Sequence, residues 1–192
     1  KWQDTYWMAY GDWNGICFAV SDDGKRFERL IQPSGNTEAF SEGSDSNTRD
    51  PMLVRINALW HCYYTAVIDG RGYGLCRTSS DLRNWTPHCV VSYGGSIGPG
   101  QWNNECPSVV EVAPNEFLYF RNQFYGESAM NWQYYSRNPL DFGIDTDAKR
   151  VGSLPVAAPE IVKDGNKYYL AALNPKLDGI RMTRLRWTRE PR

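Results

Sequence analysis

Three short segments with one shared pattern determine the fold that this sequence predicts: residues 50–54 (DPMLV), 106–110 (CPSVV) and 158–162 (APEIV). Each segment has a proline in second place and then continues as a run typical of a β-strand. A proline is tolerated at the first position of a strand because no ladder hydrogen bond is lost there. The prolines at 51, 107 and 159 are 56 and 52 residues apart, so we interpret the segments as one strand repeated along the chain.

Two further strands follow each of these segments. Short alternating apolar runs between Gly, Asn, Asp and Pro clusters are typical of antiparallel strands. A fourth segment follows a turn, as in residues 81–85 (DLRNW). Four strands in a repeat of about 40–55 residues have the size of a β-propeller blade. The aromatic second strands are residues 59–64, 117–120 and 168–170, and the third strands are residues 74–79, 131–136 and 179–183.

The sequence therefore predicts an all-β protein, a single β-propeller domain over residues 1–192 with four-stranded antiparallel blades. The start of the chain fits the repeat one strand late, since residues 6–10 match a second strand and residues 15–21 a third. About three and a half to four blades are expected. They are a partial blade at 1–33 without its first strand, full blades at 47–95 and 103–153, and a partial blade at 156–190 without its fourth strand.

Two features of this arrangement lie between and beside the blades. Residues 34–48 are rich in Ser, Gly, Asn and Glu, which predicts a loop between the first two blades. Incomplete blades leave unpaired strand edges, and such edges favour association. A homo-oligomer formed through these edges is therefore one expected assembly.

Composition excludes several classes of protein. The 21 Lys and Arg residues balance 22 Asp and Glu residues, for a net charge of -1, which argues against nucleic-acid and polybasic membrane partners. No apolar run approaches the roughly 18 residues of a membrane helix. Aromatic residues make up 14% of the chain, which opposes disorder. We expect a soluble protein of unknown compartment, with secretion and the periplasm both open because a chain beginning at Lys1 is compatible with a removed signal peptide.

The cysteines and histidines predict neither a metal site nor a cofactor. Five cysteines occur without CxxC spacing, and two histidines lack a flanking pattern of carboxylates. We expect the cysteines to be small buried residues of strands, with at least one free thiol.

Acidic residues stand at the start of two of the three repeated segments. Asp50 precedes Pro51 directly and Glu105 lies two residues before Pro107, whereas the last repeat has alanines at both places. First strands of a propeller line its central channel, so these carboxylates are expected to converge on one mouth of it. Two carboxylates flanking one bond are what glycoside hydrolysis requires. Arg49, beside Asp50, is placed to keep a carboxylate ionised or to hold a sugar hydroxyl.

The segments 48–51 (TRDP) and 104–107 (NECP) resemble the second and third acidic motifs of the five-bladed β-propeller glycosidases of families 32, 43, 62 and 68. These enzymes act on fructofuranosides, arabinofuranosides and xylosides, and the resemblance covers nearly the whole chain. It implies that Glu105 is the general acid, that Asp50 is the transition-state stabiliser or pKa-tuning carboxylate, and that Arg49 contacts the substrate. The implied ligand is a carbohydrate.

Other residues near these motifs are expected at the site. Trp102 and Asn104 precede Glu105 in the sequence, and an aromatic ring with an amide suits stacking and hydrogen bonding to a sugar. Arg121 lies on the second strand of the same blade and is expected to reach the rim of the pocket. The structural alternative for Asp50 and Glu105 is that they cap strand starts or pair with arginines.

One departure from the family leaves the function open. Those enzymes carry a third carboxylate on the first strand of the first blade, and they have a fifth blade. Asp4 and Asp12 do not match the missing motif. We therefore retain three interpretations: a glycosidase-like protein that hydrolyses a glycosidic bond, with furanosides among the candidates; a catalytically inactive carbohydrate-binding propeller that lacks the third carboxylate; and an oligomeric scaffold built from an incomplete propeller.

Overall fold

The computed structural model describes residues 1–12 and 14–188 and has four antiparallel sheets arranged as the blades of a β-propeller, which confirms the predicted fold class. Residue 13 and the last two residues of the predicted final blade, 189 and 190, lie outside the described residues. The first sheet contains β1 (Tyr6–Gly11), β2 (Ile16–Ser21), β3 (Glu28–Arg29) and β4 (Glu38–Phe40); the second contains β5 (Arg49–Ile56), β6 (Leu59–Ile68), β7 (Arg71–Ser79) and β8 (Cys89–Ser92); the third contains β9 (Glu105–Ala113), β10 (Glu116–Phe124), β11 (Met130–Ser136) and β12 (Arg150–Leu154); and the fourth contains β13 (Ala157–Asp164), β14 (Lys167–Leu173) and β15 (Ile180–Leu185).

Strand register shows how the first sheet relates to the others. The strands β2, β7 and β11 each end in a serine, and that serine pairs with a residue at the start of the preceding strand. Tyr6 of β1 pairs with Ser21, as Trp60 of β6 pairs with Ser79. In the third sheet, Phe117 of β10 pairs with Ser136 in the same way. By this register β1 is equivalent to β6 and β10, which are the second strands of their sheets.

The fourth strand of the first sheet differs from the sequence prediction. Residues 34–48 are predicted as a loop, and this is wrong for β4, which pairs with β2 through Ile16 and Phe40. The pairing repeats that of β7 with β8, where Gly74 faces Ser92. The first sheet therefore extends to Phe40 rather than to residue 33. A strand of three residues within a polar stretch has too few alternating positions to give a sequence signal.

Aromatic side chains fill the spaces between neighbouring sheets. Between the first and second sheets, Phe18 stacks on Trp85 with ring centroids 5.5 Å apart, and Phe40 packs against the same ring. Between the second and third sheets, Tyr63 contacts Tyr119 edge to face at 6.4 Å. These pairs bury large apolar areas in favourable ring geometries, so the blades are held to one another mainly by their aromatic strands.

The fourth sheet presents an apolar outer edge. Within the described residues it has three strands, and the side chains of Ile180 and Met182 on β15 are 72% and 70% exposed. Association of two copies through such an edge stays a prediction. In the described part of the chain, no helix has the length and apolar character needed to cross a bilayer.

Candidate active site

A bulge opens each of the inner strands β5, β9 and β13. The residue before the proline has positive φ in all three: Asp50 at 57°, Cys106 at 48° and Ala158 at 46°. The pairing with the next strand shifts register at the same place, for example between Arg49 and Met52. Bulges re-aim side chains at strand ends, and non-glycine residues hold positive φ only when the surroundings fix them. Asp50, Cys106 and Ala158 all line one central cavity of about 410 Å³.

Arg49 lies between the two predicted catalytic carboxylates. Its Nη2 donates to Oε1 of Glu105 at 2.9 Å, and its Nε lies 3.6 Å from Oδ2 of Asp50. The three side chains are only partly accessible, at 10% for Arg49, 27% for Asp50 and 13% for Glu105. One guanidinium thus neutralises the repulsion between two carboxylates from neighbouring inner strands. The sequence motifs predict that the two acids share one site, and in the structure Arg49 contacts both of them.

Asp50 is also fixed by the neighbouring strand. Its Oδ2 accepts a hydrogen bond from the backbone N–H of Cys106 at 3.0 Å. The Cys106 thiol lies 3.4 Å from the hydroxyl of Tyr125, and burial together with the charge of Asp50 raises the pKa of that thiol to about 12. A thiol with so high a pKa is a poor nucleophile at neutral pH. Cys106 therefore orients Asp50 through its backbone N–H, and its thiol donates a longer hydrogen bond of 3.8 Å to the same carboxylate oxygen.

The role of Cys106 is not evident from its residue type. The signal that could have revealed it is its place in the repeat, because Cys106 stands directly before Pro107 as Asp50 stands before Pro51. Equivalent positions of adjacent inner strands meet at the channel mouth, so the residue at one of them is a contact of the residue at the next.

Trp102 packs against Arg49, and its contact with a substrate stays a prediction. The Cζ atom of Arg49 lies 5.1 Å from the centroid of its indole ring. The residue is 49% exposed, so much of the ring is accessible to a ligand. An accessible indole beside charged hydrogen-bonding groups is suited to a sugar ring, which has an apolar face and hydroxyls at its edge.

Asn104 and Arg121 are placed differently from the sequence expectation of substrate contacts. Asn104 is fully buried: its Nδ2 donates to the carbonyl of Gly72 at 3.1 Å, and its own carbonyl accepts from Thr65 Oγ1 at 2.6 Å. It joins the start of β9 to the second sheet. The prediction is wrong because the amide is buried against the second sheet and is not accessible to a ligand.

Arg121 is 1% exposed and lies under the segment that leads to Glu105. Its guanidinium donates to the carbonyls of Gly94 at 3.1 Å and Gly98 at 3.4 Å, and also to the carbonyl of Asn103. Loop carbonyls in a buried place need such donors. Arg121 is therefore a support of the loop at residues 94–103, and its predicted position at the pocket rim is wrong.

The other acidic residues considered from the sequence make local contacts or line the cavity. Asp12 accepts hydrogen bonds from the N–H groups of Asn14 and Gly15 and so closes its own turn. Asp4 pairs with Lys1 at 3.6 Å on the surface. Glu160 lines the central cavity on β13. Across residues 1–12 and 14–188, no cluster of three or more His, Cys, Asp or Glu side chains has the geometry to hold a metal ion.

No protein-family profile matches this sequence, and no curated protein does. Solved structures do match. A family-43 glycoside hydrolase described as thermostable aligns with a TM-score of 0.71 and 15% identity over 97% of this chain and 69% of its own. The GH32 β-fructofuranosidase of Bombyx mori aligns with a TM-score of 0.68 and 19% identity over 88% of this chain.

The chain spans 40% of the length of the Bombyx mori enzyme. An N-acetylgalactosamine deacetylase from F. plautii, in complex with blood group B trisaccharide, aligns with a TM-score of 0.67 and 12% identity over 88% of this chain and 57% of its own. At these identities the likeness establishes a shared β-propeller fold.

Proposed function

We propose that this chain binds a carbohydrate at the channel mouth and carries two carboxylates of a glycoside hydrolase site. The observation that carries the proposal is the position of Arg49, 2.9 Å from Glu105 and 3.6 Å from Asp50. Cleavage of a glycosidic bond needs one group that protonates the leaving oxygen and another that stabilises positive charge on the sugar. The likeness to a fructofuranosidase and a family-43 hydrolase supports the same class of reaction.

The roles proposed for the individual residues are those that the resemblance in the acidic motifs implies. Glu105 is proposed as the general acid, which gives its proton to the glycosidic oxygen as the bond breaks. Asp50, held by the Cys106 N–H at 3.0 Å, is proposed to remain ionised and to stabilise the oxocarbenium-like transition state. Arg49 is proposed to turn from Glu105 to a sugar hydroxyl when substrate enters, and Trp102 is proposed to stack on the sugar ring.

The test is turnover of a panel of aryl glycosides that includes α-L-arabinofuranosides, β-D-xylosides and fructofuranosides. If the wild type hydrolyses one of them, Glu105→Gln should lower kcat by about 100-fold or more, the usual contribution of a general acid. Glu111→Gln is a matched control on the same strand, where Glu111 is exposed and accepts a hydrogen bond from Asn115 N–H. Unchanged turnover in Glu105→Gln would overturn the assignment of the acid.

A second candidate, carbohydrate binding without hydrolysis, is favoured by one specific contact. Glu105 is ion-paired with Arg49 and only 13% accessible, which suits a carboxylate that holds a sugar hydroxyl better than one that carries a transferable proton. A deacetylase in complex with a trisaccharide also aligns with this chain, and one fold can host unrelated functions. In calorimetry with oligosaccharides, heat of binding without hydrolysis would favour this candidate. Neither heat nor hydrolysis with any member of the panel would contradict both.

A further inference from the structure

Two cysteines face each other across neighbouring strands of the second sheet. Cys76 of β7 and Cys89 of β8 are direct partners in the antiparallel ladder. Residues directly opposite in such a ladder have Cα atoms about 4.5–5.5 Å apart and side chains on the same face. A disulfide spans about 4.4–6.8 Å between Cα atoms. The strand pairing alone therefore brings these two residues to disulfide distance.

The Cys89 side chain is in direct contact with Cys76. The Cys89 thiol donates to the carbonyl of Cys76 at 3.5 Å, and the Cys76 thiol donates to the carbonyl of Arg77 at 3.5 Å. The neighbouring Cys76 side chain lowers the pKa of the Cys89 thiol to about 7, whereas burial raises the pKa of Cys76 well above its usual range. Cys89 is half-buried and Cys76 is 1% exposed. The Cys89 thiol is thus partly accessible and easily ionised, whereas the Cys76 thiol is buried next to it.

We propose that Cys76 and Cys89 form a reversible cross-strand disulfide. The oxidant is a small-molecule disulfide such as glutathione disulfide. The Cys89 thiolate, after losing its proton to solvent, attacks one sulfur of the oxidant and releases one glutathione thiolate, which takes up a proton. Cys76 has a raised pKa, but it lies directly opposite Cys89 in the ladder, and this proximity compensates for its low thiolate fraction. It attacks Cys89 in the mixed disulfide, and its proton goes to the second glutathione as that leaves. Two protein thiols and one disulfide give one protein disulfide and two glutathione thiols.

The bond would close a segment that carries a contact between two blades. Residues 77–88 lie between the two cysteines, and both ends of this segment bind Glu42 at the end of the first sheet. Arg77 Nη2 lies 2.8 Å from one carboxylate oxygen of Glu42, and His88 Nδ1 lies 2.5 Å from the other. A cross-link at the base of the segment reduces its freedom in the unfolded chain. Oxidation is therefore expected to strengthen the junction between the first and second sheets.

The experiment equilibrates the wild-type protein with glutathione buffers of increasing disulfide content and counts thiols after denaturation. We expect two of the five thiols to be lost together. A non-reducing tryptic digest should then link the peptide 72–77 to the peptide that carries Cys89, with the bond assigned to Cys89 by fragmentation. The melting temperature should rise by about 5–10 °C and return to its former value after reduction with dithiothreitol.

Single variants separate this pair from the other cysteines. Cys89→Ser should abolish the link and leave four reduced thiols, whereas Cys76→Ser should stop at a mixed disulfide of glutathione with Cys89. Cys17→Ser, which changes a buried cysteine of the first sheet, should leave the link intact. The proposal is overturned if the wild type keeps all its thiols in the most oxidising buffer. It is also overturned if Cys89 links to another residue, or if Cys76→Ser and the wild type accumulate the same glutathione adduct.

Discussion

Arg49 and Glu105 occupy the same position on two neighbouring inner strands, two residues before a proline, and form an ion pair with 2.9 Å between Nη2 and Oε1. The third strand with this pattern has Ala157 at that position. The polar site is therefore made by unlike residues at one repeated position of a bulged strand. The bulge sets where the side chains point, and the residue type sets the charge.

Removing the Arg49 guanidinium should destabilise the protein through its two acidic neighbours. In Arg49→Gln, Asp50 and Glu105 face each other without a cation, and we expect the free energy of unfolding to fall by about 1–3 kcal/mol at neutral pH. Arg49→Lys should recover part of this loss, because one ammonium cannot reach both carboxylates as a guanidinium does. Urea denaturation measures both changes.

The matched control for Arg49 is Arg55→Gln on the same strand. Arg55 is exposed and lies 5.9 Å from the ring centroid of Trp60, so its loss should change the free energy of unfolding by no more than about 0.5 kcal/mol. Equal destabilisation by Arg49→Gln and Arg55→Gln would show that the ion pair at the channel mouth contributes nothing specific.

Glu42 should be among the most sensitive charged positions of the chain. Its side chain is 5% accessible and accepts hydrogen bonds from the Tyr64 hydroxyl at 2.5 Å and from Arg77, while His88 contacts its other oxygen. Glu42→Gln leaves the Arg77 charge without its partner in a buried place, and we expect a loss of about 3 kcal/mol in the free energy of unfolding. Chemical denaturation followed by tryptophan fluorescence measures it.

The control for that cluster is Asp45→Asn, which neutralises an exposed carboxylate three residues away and should cost at most about 0.5 kcal/mol. Should Glu42→Gln prove as mild as Asp45→Asn, the buried cluster would be no more stabilising than an ordinary surface charge.

What the sequence predicts well is the part of the fold that each repeat specifies locally. The proline near the start of each inner strand and the aromatic second strand after it recur at similar spacing, so these strands and their order can be predicted without a structure. The predicted substrate contacts of Asn104 and Arg121 are wrong because they do not depend on a local pattern. Their burial depends on the path of residues 94–103 across the second and third sheets, and no local pattern specifies that path. Polar residues beside an acid are equally suited to contact a ligand or to support the backbone beneath it.

Gly74 should tolerate no side chain, because it lies where the second sheet supports the start of β9. A Cβ atom there would overlap the Tyr119 hydroxyl and lie 3.1 Å from Oδ1 of Asn104. We expect Gly74→Ala to cost about 1–3 kcal/mol, as overpacking of a filled core does, and to move Asn104 and with it Glu105. Thermal unfolding measures the stability, and a comparison of turnover or sugar binding between the variant and the wild type measures the effect on the site.

Gly152→Ala is the control, since a Cβ atom there meets its nearest neighbour, Gln133, at 3.4 Å. A Gly74→Ala variant as stable and active as Gly152→Ala would contradict this close approach.

His61 should make stability depend on pH in the weakly acidic range. It is 5% exposed, stacks on Tyr63 at 6.1 Å, and burial lowers its pKa below the usual 6.5. Between the folded and unfolded pKa values the unfolded chain binds more protons, so stability from this residue is present above about pH 6.5 and declines as the pH falls. The wild type should lose stability as the pH falls from about 7 to about 5, and the loss should end once the pH is below the folded pKa. His61→Phe should reduce this slope, whereas His88→Gln keeps His61 and should retain its contribution. The lowered pKa values of Asp23 and Asp81 act only below about pH 4, outside this window. Urea unfolding at the two pH values measures the free energy of unfolding at each. If this free energy depends on pH in His61→Phe as it does in the wild type, the dependence belongs to another group.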